Sequence, residues 1–200
     1  MKVLVASLSA NSRLGRLLRA RGVEVEEIQV GEIVAVASAL PDDVRWVAIA
    51  SQNSIPSLVD AFAALDHSRS APKIAAVGEK TAAALRQAGF AVDFVPKKAS
   101  GESLCREFAA CCPGERLFDF KGYENRPLPI GGTIDLSRFA AAYFTCASSV
   151  ERVFAVAVGQ TLCCSIGEAT SAALRKHCVR RILQAAESTI ESLAAIAVNG

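Results

Sequence analysis

Gly78, Glu79, Lys80 and Thr81 lie where an apolar run gives way to an alanine-rich one. Lys73 to Val77 reads as a short buried strand, Gly78 breaks it, and Thr81 onward has high helix propensity. The unpaired N–H groups of a helix's first turn, with a threonine hydroxyl beside them, favour anions, carboxylates included. The stretch recurs. Gly167-Glu168-Ala169-Thr170-Ser171-Ala172-Ala173-Leu174-Arg175 aligns with Gly78 to Arg86 at an offset of 89, seven of nine residues being identical. The alignment runs ungapped to Glu102-Ser103-Leu104 against Glu191-Ser192-Leu193, which marks an internal duplication. Upstream, Ser51-Gln52-Asn53-Ser54-Ile55 corresponds to Cys146-Ala147-Ser148-Ser149-Val150, and Thr145 opens the second turn. Each half thus carries a hydroxyl-rich turn on one strand and a Gly-x-x-Thr turn on the next. At the carboxyl ends of parallel strands, these are positions where open α/β sheets bind ligands.

The elements that must position these residues follow from periodicity. Lys2 to Ala6 is a strand, Asn11 or Ser12 caps a helix to about Arg21, Gly22 stops it, and Val23 to Gln29 is a second strand. Such a β-α-β unit implies a parallel pair with a right-handed crossover. Strands at 2–6, 23–29, 139–144, 162–166 and 179–183 form one parallel set. Those at 46–50, 73–77, 91–95 and 117–120 form a second. Ser100 caps a helix carrying Leu104 and Phe108, and Ser188 or Thr189 caps a last one. Lys121 to Asp135, with three glycines and two prolines, reads as an extended linker or crossing strand.

Composition narrows the class. Of 200 residues, 52% are hydrophobic, and 22 Lys+Arg against 20 Asp+Glu leave a net charge of +2. That balance and the low aromatic content argue against nucleic acid and against a membrane surface as partner. No apolar run is long enough to span a bilayer. Seven cysteines, four in the vicinal pairs Cys111-Cys112 and Cys163-Cys164, fit neither zinc nor redox spacing and read as reduced buried thiols of a cytoplasmic protein. His67 and His177 read as surface residues without a metal partner. Gly78-Glu79-Lys80-Thr81 lacks the upstream glycine of a P-loop, no G-x-G-x-x-G opens the first helix, and no G-x-S-x-G elbow occurs.

A Ser/Asn-rich turn followed by Val77-Gly78-Glu79-Lys80-Thr81-Ala82-Ala83-Ala84-Leu85, echoed by Ile166-Gly167-Glu168-Ala169-Thr170, resembles the uroporphyrinogen-III synthase family. Phe90-Ala91-Val92-Asp93-Phe94-Val95-Pro96, running into Ser100-Gly101-Glu102-Ser103-Leu104, follows the same family's pattern. The resemblance implies an α/β protein of two parallel-sheet, flavodoxin-like or Rossmann-like lobes, the second inserted into the first and joined by a two-stranded linker. Residues 1–30 and 131–200 would form lobe 1, 37–121 lobe 2, and 31–36 with 122–130 the linker strands. It also implies a lyase that cyclises hydroxymethylbilane, a linear tetrapyrrole with eight carboxylates, with ring D inverted. It implies no cofactor, and a transient contact with the preceding enzyme of the pathway. By resemblance Ser51, Asn53, Ser54, Gly78 and Thr81 bind substrate on one lobe. Thr145, Ser148, Gly167 and Thr170 do so on the other, facing them. Tyr123 takes the place of a tyrosine that helps the hydroxyl leave, with Asn125 where threonine is usual. The alternative roles are helix capping for Thr81 and Thr170, and an ordinary linker aromatic for Tyr123. The family has a further helix and strand before Tyr123 that this chain lacks, so the alternative function is a degenerate tetrapyrrole- or polyanion-binding module of the same fold.

Overall fold

Val3–Ala6, Trp46–Ile49, Ile74–Ala76, Ala141–Phe144 and Leu162–Cys164 are short apolar runs without alternation, the pattern of parallel strands covered on both faces, whereas Glu24–Gln29 is largely polar. A computed structural model of the chain describes residues 1–66 and 70–196. In chain order it runs β1 (Lys2–Ser7), α1 (Arg13–Ala20), β2 (Glu24–Gln29), β3 (Gly31–Ala35), β4 (Trp46–Ile49), α2 (Ile55–Ala63), β5 (Lys73–Ala76), α3 (Glu79–Gln87), α4 (Gly101–Cys111) and β6 (Phe118–Asp119). It continues with β7 (Tyr123–Pro127), β8 (Ile134–Asp135), β9 (Ala141–Phe144), α5 (Ala147–Phe154), β10 (Ala157–Val158), β11 (Leu162–Ser165), α6 (Glu168–Lys176), β12 (Ile182–Gln184) and α7 (Ile190–Ala194).

The chain divides into two compact units, one of Met1–Glu32 with Asn125–Gly200 and one of Ile33–Glu124. The first holds a five-stranded sheet in the order β12-β11-β9-β1-β2, parallel throughout. Its middle strands place alternate residues on opposite faces. Leu4, Ala6, Ala142, Phe144 and Cys163 face a core completed by Val150 and Val153 of α5 and Leu174 of α6. Val3, Val5, Ala141, Tyr143 and Cys164 face Leu14 and Leu18 of α1 and Leu193 of α7. Ser12 caps α1, accepting from Gly15 N at 3.0 Å, while Asn11 is held at φ 53 just before it.

The second unit holds a three-stranded parallel sheet, β5-β4-β6. Val47, Ile49, Ile74 and Ala76 pack under α2 and α3 on one face. Trp46, Ala48 and Ala75 meet Leu104 and Phe108 of α4 on the other, with the Trp46 and Phe108 rings edge to face at 4.9 Å. β3 pairs with β7, and the unit boundaries fall within these two strands.

Two expectations are corrected. Residues 91–95 do not form a strand; only a bridge between Ala75 and Phe94 remains. The Asp93 carboxylate takes the Ile74 N–H at 2.8 Å in place of a main-chain carbonyl, which shortens the ladder; the main-chain bonds that remain include those from Asp93 N to Ile74 O at 2.8 Å and from Ala76 N to Phe94 O at 2.9 Å. The stretch from Lys121 to Asp135 is not wholly linker either. After β7, β8 pairs with β10 in a small separate parallel sheet.

Candidate functional site

In the second unit, β4 ends at Ile49 and a 3-10 turn, Gln52–Ser54, follows. The Ser51 hydroxyl accepts from Asn53 N at 3.2 Å and ties this turn. Asn53 is half-buried and its side chain has no hydrogen-bond partner among the described residues, while Ser54 is buried at the start of α2. On the adjacent strand, β5 leads to Gly78, the N-cap of α3, and the 3-10 turn packs against that helix. Gly78 is extended (φ −176) and offers no side chain, so the N–H groups of Glu79 and Lys80 leave the helix end without an intrahelical acceptor. Thr81 is the third helical residue, not the cap; its N–H bonds Gly78 O at 3.1 Å. It is only 8% exposed, yet its hydroxyl has no partner among the described residues. Since no buried side-chain oxygen there lacks a partner, what stays exposed includes that oxygen.

The first unit repeats the arrangement on β9 and β11, which are also neighbours. Thr145 is half-buried after β9, Cys146 caps α5 without a side-chain bond, and Ser148 lies in the first turn. Gly167, extended at φ 178, caps α6 in the same bare way. Thr170 is its third residue, 3% exposed, with no hydrogen-bond partner for its hydroxyl among the described residues. α5 packs on α6. The duplication holds in detail. Ser103 N donates to Ser100 Oγ at 3.1 Å at the head of α4, and Ser192 N to Thr189 Oγ1 at 3.1 Å at the head of α7. Glu79 pairs with Arg86 at 2.5 Å and Glu168 with Arg175 at 2.7 Å.

Within each unit, then, the hydroxyl-rich turn and the glycine-capped helix stand side by side. Tyr123 opens β7, half-buried, its hydroxyl without a hydrogen-bond partner among the described residues. Two residues that the sequence reading did not assign to the site adjoin it. Asn125 Nδ2 donates to Ser148 Oγ at 3.0 Å, and Asn125 Oδ1 accepts from Arg152 Nη1 at 2.9 Å. The departure from threonine at Asn125 was the one signal in the sequence; nothing marked Arg152.

Three of the thiols and His177 differ from expectation. Cys163 and Cys164 are buried and burial pushes both up to about 12, but Cys105, Cys111 and Cys178 are exposed. His177 is no plain surface residue: it stacks on Phe154 at 5.0 Å and meets Glu151 at 2.7 Å. His67 lies outside the described residues. Among these, no group of three His, Cys, Asp or Glu side chains could hold a metal ion, and no helix is long and apolar enough to cross a membrane.

Two parallel α/β units, each with a bare glycine cap and a hydroxyl-rich turn at neighbouring strand ends, define a two-unit α/β protein in which one strand–glycine–helix turn is duplicated, a geometry that favours anions. The chain belongs to the uroporphyrinogen-III synthase family: the family model for uroporphyrinogen-III synthase HemD matches residues 3–129. It is 34% identical over 110 residues to the uroporphyrinogen-III synthase of Synechococcus elongatus, a match spanning half of this chain and 42% of that protein. Its fold is similar to uroporphyrinogen-III synthetase from Helicobacter pylori (TM-score 0.65, 16% identity, 96% of each chain). It is similar as well to a mutant uroporphyrinogen III synthase from Thermus thermophilus (TM-score 0.60, 20% identity, 96% of this chain and 95% of that one).

Proposed function

We propose that this protein converts hydroxymethylbilane to uroporphyrinogen III without a cofactor, in the cytoplasm. The observation that supports this best is the pair of threonine hydroxyls, Thr81 and Thr170, without a hydrogen-bond partner among the described residues, each beside a bare glycine cap in a nearly buried setting. Neutral donors of this kind hold carboxylates without committing a strong acid or base. In this reading Asn53, Gly78 and Thr81 take substrate carboxylates in one unit, with Ser51 and Ser54 shaping the turn. Thr145, Ser148, Gly167 and Thr170 take them in the other. The Tyr123 hydroxyl donates to the departing hydroxyl. With that proton the carbon–oxygen bond breaks and water leaves; the electrophilic carbon bonds ring D at the carbon that carries its bridge to ring C, that bridge breaks and re-forms at the free α-carbon of ring D, and the proton lost from that carbon returns to Tyr123. The protein's contribution is to hold one folded conformation of an unstable intermediate. The exposed thiols suit a reducing compartment, and contact with the preceding enzyme would shorten the substrate's life in solution.

A second reading, a binding module without turnover, draws on the narrow sheet of the second unit, which ends at the two-residue β6. Chromatography of the product isomers decides between them. The synthase reading expects the type III isomer. It also expects kcat to fall at least about tenfold in Tyr123→Phe, the worth of one hydrogen bond made in the transition state, and kcat/KM to fall by a similar factor in Thr81→Ala. Only the type I isomer at high protein concentration, with the substrate still raising the melting temperature, would establish the binding module instead.

A further inference from the structure

Arg152 of α5 is a half-buried cation that binds no anion among the described residues. Its Nη1 donates to Val30 O at 3.2 Å and to Asn125 Oδ1 at 2.9 Å, and its Nη2 to Asn125 O at 2.9 Å. The guanidinium lies so close over the backbone at Gly31 that a Cβ there would fall 1.9 Å from Nη1. A guanidinium offers donors only, so it fixes the orientation of the Asn125 amide: Oδ1 must face Arg152 and Nδ2 must face Ser148. The Ser148 hydroxyl therefore accepts from Asn125 at 3.0 Å, and its own proton is left to point elsewhere. The neighbour within reach is Cys146 Sγ at 3.2 Å, a weak acceptor that a carboxylate oxygen would displace.

We propose that Arg152, acting through Asn125, is a positioning residue that sets Ser148 as an obligate hydrogen-bond donor to a substrate carboxylate. The inference rests on the reading of Ser148 as a substrate-binding residue. A chain of bonds that starts at a cation polarises each member toward donation, so the terminal hydroxyl is a stronger donor than a free serine. Lysine cannot substitute, because the three acceptors around Arg152 demand the planar fork.

Asn125→Asp separates this role from a structural one. The carboxylate is nearly isosteric with the amide and keeps Arg152 as a charged pair, so the melting temperature should stay within about 2 °C. Facing Ser148, however, it presents an acceptor, and the serine proton turns inward. We expect kcat/KM for type III formation to fall about tenfold, mainly through KM, the worth of one charge-assisted hydrogen bond. Arg152→Ala should give a similar fall. In a Ser148→Ala background either substitution should change kcat/KM by less than about twofold, because the hydroxyl through which they act is gone. The same tenfold fall in both backgrounds, or no fall from Asn125→Asp alone, would overturn the proposal; the former would mean charge repulsion or lost packing. If Arg152→Ala does not fold, Asn125→Asp carries the test alone. A wild-type protein that makes only the type I isomer would remove the underlying reading, a result distinct from additivity.

Discussion

At Gly78 and Gly167 the backbone is extended, φ −176 and 178, a conformation open to every residue, so torsion does not explain the glycines. Their neighbours do. A Cβ at Gly78 would come within 2.6 Å of Ala99 Cβ and 3.3 Å of Ala99 Cα, whereas one at Gly167 would meet Ser188 Oγ at 2.6 Å. Ala99 and Ser188 are themselves related by the offset of 89. In both copies the residue before the next helix cap lies directly on the glycine. The two sites should nonetheless respond differently. A serine hydroxyl rotates away, but an alanine Cβ moves only with its backbone. Gly78→Ala should cost about 1–3 kcal/mol as an overpacked contact, and Gly167→Ala less than about 1 kcal/mol, read from urea midpoints at unchanged slope. Equal costs would show that the close approach at Ser188 is as rigid as that at Ala99.

The helices that follow these glycines end differently. Gly89 closes α3 at φ 89, and the residue at the same place after α6 is Cys178, at φ 56. A left-handed residue after a helix is ordinarily glycine, because a Cβ there crowds the carbonyl at a cost of about 1–2 kcal/mol. Cys178→Gly should therefore raise stability by about 1 kcal/mol and the melting temperature by about 2–4 °C. Scanning calorimetry on the variant checks this, and an unchanged or lower midpoint would mean that the thiol is held by contacts worth as much as the strain. The same comparison shows what could be read from the sequence. The duplicated Gly-x-x-Thr runs placed α3 and α6, and the caps at Ser100 and Thr189 followed from residue type. No strand forms at 91–95, because Asp93 lies where the other copy has Ile182. There a carboxylate takes the Ile74 N–H, while at the corresponding Cys163 the Arg181 carbonyl takes it at 2.9 Å. Periodicity counts apolar residues; it does not register a side chain that replaces a main-chain acceptor. The Arg152 contacts were invisible for a related reason. They run from a helix face to Val30 and Asn125, residues remote in the chain, and only Asn125 stands at a position that a motif marks.

Over the whole molecule, the two units carry separate cores, and each core holds its own reporter. Trp46, the chain's one tryptophan, is buried among Ala75, Leu104 and Phe108 in the unit of Ile33–Glu124. Cys163 and Cys164 are buried in the other, beside Tyr143, whose hydroxyl donates to Ile196 O at 3.2 Å. Desolvation raises the Tyr143 phenol well above its ordinary value and pushes both thiols up to about 12. These are acids that are neutral in the folded state and ionise at lower pH once unfolded. Their contribution is fully present below about pH 8, where neither state is appreciably ionised. It is lost as pH rises from there toward 12, because the unfolded chain releases protons that the folded one keeps. All three groups lie in the unit of Met1–Glu32 with Asn125–Gly200. Urea unfolding read by alkylation of Cys163 and Cys164 should therefore lose more than about 1 kcal/mol between pH 9 and 11, a loss that Cys163→Ala with Cys164→Ala would diminish when circular dichroism replaces alkylation. Exposed Cys105, Cys111 and Cys178 should label without urea and serve as the internal standard. Trp46 fluorescence follows the other core in the same samples, where burial of these three acids has no direct bearing. A thiol-reported midpoint that stays constant from pH 9 to 11 would mean that Tyr143 and the vicinal pair are already shielded from water in the unfolded chain.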